Sequence, residues 1–128
     1  IILATGYTWS APFLPDEVNP FAKGRAELPL SMFPKDRDNL FFISFVKAAG
    51  SSITLFGEMA WIIARALKAE GEEKAKFRAK IAMNDFDLRK GLKLIPTERN
   101  KAYINRDAYM DAFKKLRRHM GWPQAEAV

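Results

Sequence analysis

The chain contains no cysteine, which excludes disulfides, thiolate nucleophiles and Cys-ligated zinc or iron–sulfur centres. Its single histidine is His119, in a basic stretch near the C-terminus. Neither a His-ligated metal site nor a Ser–His–Asp triad is expected from its residues. There is no Gly-x-Gly-x-x-Gly fingerprint and no phosphate-cradling P-loop. No apolar run reaches the roughly 18 residues of a membrane-spanning helix; the greasiest stretch, Ile53 to Leu67, is interrupted by Glu58 and Arg65. The paired carboxylates Asp36/Asp38 and Asp85/Asp87 fall in polar segments. They read as a surface turn and a helix face, since acid–base work requires burial that shifts a carboxyl pKa. By its own residues the chain carries no visible catalytic apparatus.

What is present suits a packed core. The 128 residues are 48% hydrophobic and include ten Phe and three Trp, enough for one ordinary domain. The lack of cysteine is compatible with a reducing compartment, and the chain is expected to be cytoplasmic. Net charge is +6, from 21 Lys+Arg against 15 Asp+Glu. Part of that charge is concentrated in Lys114, Lys115, Arg117, Arg118 and His119. Such a block is either a solvated helix face or a surface for nucleic acid or anionic membrane.

Ile1-Ile2-Leu3-Ala4-Thr5-Gly6 reads as a buried strand running into a Gly turn, and a strand of this kind needs neighbours on both faces. The chain therefore reads as a piece of a larger protein. Residues 7–27 lack a period and are expected to be extended loop. Leu28 to Phe33 suits a short edge strand, with Pro29 barring a central position. Leu40 to Val46 is β-rich and apolar on both sides of the alternation, as in a strand covered on both faces. A helix is expected after Ser51 or Ser52, with Leu55, Phe56, Met59, Ile62, Ile63, Ala66 and Leu67 apolar on nearly all sides and hence buried. A second, charged helix is expected over Glu72 to Lys90, with Phe77, Ile81 and Leu88 as its stripe and Gly91 as its stop. A third, roughly 106–120, follows Asn105 or Asp107 as cap. Its stripe is Tyr109, Phe113, Leu116 and Met120, and Gly121 and Pro123 terminate it. No internal repeat or low-complexity segment is present.

The best local candidate for a site is the junction at Leu40 to Ala60, where a strand, a small-residue loop (Gly50, Ser51, Ser52) and a helix N-terminus follow in order. Free N–H groups and the positive helix end favour anionic or electron-rich groups there. An ordinary capped connection has the same pattern.

Three segments carry a resemblance. The first is the hydrophobic run ending in Ala4-Thr5-Gly6-Tyr7, followed by Ser10-Ala11-Pro12-Phe13-Leu14-Pro15. The second is Asn39-Leu40-Phe41-Phe42-Ile43-Ser44-Phe45-Val46, followed by Gly50 and Glu58-Met59-Ala60-Trp61. The third is Ile104 to Asp111 followed by Gly121-Trp122-Pro123. In this order they resemble the later part of flavin-containing monooxygenases.

The resemblance implies an α/β fold: the C-terminal part of a two-dinucleotide-binding-domain flavoprotein, with short strands followed by three helices. It implies that residues 1–70 end the FAD- and NADPH-binding core and that 71–128 form a helical extension. It implies FAD and NADPH as cofactors, with Thr5, Gly6, Lys47, Gly50, Ser51, Ser52 and Ile53 nearest the flavin. The implied reaction is oxygenation of an amine, sulfide or ketone with O₂, through a flavin C4a-hydroperoxide. Ser44 and Lys47 depart from the family pattern, which usually has Gly and often Gln there. The implied partners are a small-molecule substrate, O₂ and the remainder of the parent chain. No nucleic acid is expected, and a membrane surface would be met through the basic C-terminal helix. The alternative reading, from charge alone, is a small basic helical module that binds nucleic acid or an anionic membrane.

Overall fold

A computed structural model of the chain describes residues 10–22, 28–50, 52–95, 97, 100 and 103–124. Among them, three α-helices carry the architecture: α1 (Ile53–Lys68), α2 (Gly71–Met83) and α3 (Arg106–Met120). No sheet forms among the described residues; the only β-type pairing there is an isolated parallel bridge between Lys47 and Tyr103. The α/β expectation is thus overturned in favour of a helical arrangement. The strand expected at Ile1 to Gly6 lies outside the described residues.

Both other expected strands are replaced by irregular backbone. Leu28 to Phe33 forms a 3-10 turn over Pro29–Ser31. Leu30 and Ser31 there have φ of 51° and 52°, so the segment folds back instead of extending. Leu40 to Val46 lies beside the core without a ladder. Its backbone tie among the described residues is Phe42 N–H to Met32 O at 2.9 Å, and Ser44, at φ 70°, interrupts its extended path. The apolar character that suggested a strand serves packing instead. Phe42 joins Phe21 edge-on at 5.4 Å, Phe21 stacks on Phe45 at 5.0 Å, and these rings with Ala11 form a small satellite core.

The main core is built by one face of each helix. From α1 come Leu55, Met59, Ile62 and Ile63; from α2, Phe77 and Ile81; from α3, Tyr109, Ala112, Phe113, Leu116 and Met120. Leu30, Met32 and Phe33 close it from the 3-10 turn, so the core draws on both halves of the chain. Each fully buried large side chain contributes about 1.5–3 kcal/mol. The expectation that α1 is buried on nearly all sides is corrected: Ile53 and Leu67 are exposed, leaving α1 amphipathic.

Helix ends follow local chemistry. Asn105 caps α3, its Oδ1 accepting from Asp107 N–H at 2.9 Å and Ala108 N–H at 3.3 Å. Gly121, at φ 70°, ends α3 in the left-handed conformation a C-terminal glycine supplies. α2 stops at Met83, not near Lys90, because Asn84 takes a left-handed conformation with φ 45°. Asn tolerates that conformation better than other non-glycine residues. Gly71 begins α2, and α1 ends before it at Lys68.

Candidate functional site

The expected site centres on the N-terminus of α1 and the segment that approaches it. That segment is anchored at Lys47, whose carbonyl accepts from Ile104 N–H at 2.8 Å. Gly50 then turns the chain at φ 89°, and a Cβ added there would meet nothing within 4 Å. Ser52 is the N-cap residue, and its carbonyl accepts from Phe56 N–H at 2.9 Å, but its hydroxyl makes no cap hydrogen bond. Ile53 is 81% exposed. Lys47 and Gly50 lie in the segment before α1, and Ser52 and Ile53 begin the helix. Thr5, Gly6 and Ser51 lie outside the described residues.

The electrostatics of this end are one-signed. No acidic residue stands in the first turn of α1, where a carboxylate would complement the positive macrodipole end. Instead Arg106, at the start of α3, donates from Nη2 to Thr54 Oγ1 at 3.0 Å. A guanidinium beside a helix N-terminus without a side-chain cap favours a negative or electron-rich group there. Arg106 and Thr54 were not among the expected site residues. They are 52 positions apart, and nothing in the local pattern of either pointed to the other.

The basic block of α3 is largely engaged within the fold. Arg117 is buried and donates to Glu58 Oε2 at 2.5 Å. Lys115 reaches Asp85 at 3.3 Å, and Lys114 reaches Asp111 at 3.5 Å. Within this block, Arg118 and His119 are exposed and form no ion pair among the described residues. Asp85 is also held by Lys80 at 2.7 Å. The Lys80 hydrogen bond, with that from Lys115, lowers its pKa below the ordinary 3.8 against the opposing effect of burial. This carboxylate is an ionised structural partner.

The aromatics Tyr109 and Trp61 are packing elements. Tyr109 is fully buried, with its ring 4.5 Å from that of Phe113, and its hydroxyl donates to Leu30 O. Burial pushes its phenol pKa up. Trp61 meets Trp122 edge-on at 6.2 Å and lies under the guanidinia of Arg117 (4.1 Å) and Arg65 (5.1 Å). Among the described residues no group of three or more His, Cys, Asp or Glu could hold a metal ion. No helix there is long and apolar enough to cross a membrane. No family model, curated protein or solved structure matches the chain.

Proposed function

We propose that the chain is part of a cytoplasmic FAD- and NADPH-dependent monooxygenase acting on a small amine, sulfide or ketone. The support is the ordered resemblance of its three segments, joined to one backbone observation. Ser44 stands where the resembled segment carries Gly, and Ser44 has φ 70°. A non-glycine residue in this region costs roughly 1–2 kcal/mol. A left-handed backbone at the position where the family pattern has glycine supports the resemblance.

The residues at the start of α1 supply free N–H groups and a nearby cation, the donors that would hold an electron-rich flavin ring. The group itself supplies hydride acceptance from NADPH and the activation of O₂. The N-terminal N–H groups of α1 and the guanidinium of Arg106 would favour negative charge on such a group. Gly50 leaves open space for a close approach, and the exposed Ile53 side chain offers an apolar contact that excludes water. The chain lacks a dinucleotide phosphate fingerprint, so tight binding requires residues beyond these. The engagement of Arg117, Lys115 and Lys114 in internal ion pairs weighs against the basic-module reading.

The test is to express the complete gene product, record its visible spectrum with and without added FAD, and measure NADPH-dependent O₂ consumption. Bound flavin absorbance with NADPH-dependent uptake is the expected result. A folded protein that stays colourless with added FAD and consumes no O₂ overturns the proposal.

A further inference from the structure

The connection between α2 and α3 places exposed apolar side chains among exposed cations. Leu88 and Lys90 within it are hydrogen-bonded to the cap of α3. Asn105 donates from its backbone N–H to Leu88 O and from Nδ2 to Lys90 O, each at 2.8 Å. Leu92 N–H donates to Arg89 O at 2.9 Å, closing a turn at Gly91, where φ is 81°. Past this anchored turn, Leu94 is 39% and Ile95 77% exposed. Arg89, Lys90 and Lys93 are exposed around them, and among the described residues none of the three forms an ion pair. The nearest carboxylate in sequence, Asp87, accepts from Arg89 N–H at 3.1 Å. Across residues 86–104 the sequence carries Arg89, Lys90, Lys93, Arg99 and Lys101 against Asp87 and Glu98.

We propose that residues 89–95 of this connection form a docking surface for an anionic lipid surface. Ile95 and Leu94 enter the headgroup region, and Arg89, Lys90 and Lys93 meet lipid phosphates and carboxylates. An apolar tip alone would fit many partners; the surrounding cations select a negatively charged one. The α3 block, expected to serve this role, is largely neutralised by Glu58, Asp85 and Asp111, whereas the loop cations are not. This inference does not rest on the flavin reading, and flavin content measured on the same preparations reports on that proposal separately.

The experiment is co-sedimentation of the complete gene product with vesicles of phosphatidylcholine, with and without phosphatidylserine, at low and high salt. Binding is expected only with phosphatidylserine, and salt should weaken it. Replacing two cations in Lys90→Gln/Lys93→Gln is expected to weaken partitioning about 30-fold, from the per-charge attraction near an anionic surface. Ile95→Ser is expected to weaken it at least about fivefold by removing the inserted side chain. Both changes are at exposed positions, and Trp fluorescence confirms that the fold is kept. Equal binding to neutral vesicles, no binding by the folded protein, or anionic binding unaffected by either variant overturns the proposal. Two outcomes without vesicle binding also overturn it. One is salt-dependent binding to duplex DNA, and the other is self-association abolished by Ile95→Ser.

Discussion

Arg117 of α3 and Glu58 of α1 form an ion pair at 2.5 Å across the interface between the two helices. The guanidinium also covers the Trp61 ring at 4.1 Å. Its Nε, however, is buried without a hydrogen-bond partner, so the pair holds charge in the core with one donor unmet. Removing one partner of such a pair is costlier than removing both, because the remaining charge stays buried. Glu58→Ala is expected to destabilise the fold by about 3 kcal/mol or more. The double variant Glu58→Ala/Arg117→Met should recover part of that loss. Urea unfolding of both singles and the double gives the coupling, and simple additivity would contradict the buried-pair account.

Tyr109 ties α3 to the 3-10 turn through its hydroxyl on Leu30 O. Tyr109→Phe leaves that carbonyl without this donor and is expected to cost about 1–2 kcal/mol. The phenol pKa is raised in the folded state above its ordinary 10.0. The stability tied to the neutral phenol is therefore complete below pH 10 and is lost as pH rises above it, where the unfolded chain ionises first. Unfolding midpoints measured across alkaline pH should fall less steeply in Tyr109→Phe.

Asp85 titrates in the opposite sense. Its pKa is lowered, first by the Lys80 hydrogen bond, so its contribution is present above the usual 3.8 and is lost as pH falls below that value. Asp85→Asn should lower stability at neutral pH and flatten the acid limb of the stability curve. An acid limb identical to that of the unaltered protein would exclude Asp85 as a contributor.

Ser44, exposed at φ 70°, has no core contact to lose. Ser44→Gly relieves left-handed strain while adding unfolded-state entropy, and the strain is the larger of the two. A gain of up to about 1 kcal/mol is expected, seen as a raised Tm. A lowered Tm would mean that the Ser44 side chain stabilises the turn in another way.

The helices were legible in the sequence because their signals are local. Asn105 as cap, Gly121 as stop, and the spacing of Tyr109, Phe113, Leu116 and Met120 all describe α3 as it stands. The end of α2 was less legible. Phe77, Ile81 and Leu88 fit a helical stripe, but Asn84 breaks the helix between them, and Leu88 packs against the core from outside it. The start of α1 as a small-residue junction was visible; its Arg106 neighbour was not, because that contact spans 52 positions.

The sequence by itself determined the three helices, the apolar stripe of α3 and the lack of thiol chemistry, since each follows from residue type and short-range spacing. Only the tertiary structure decided that Leu40 to Val46 is no strand, for a strand exists only with a partner to complete its hydrogen bonds. It likewise decided that Arg117 is buried. A cation's place depends on whether a carboxylate distant in sequence, here Glu58, meets it in the fold.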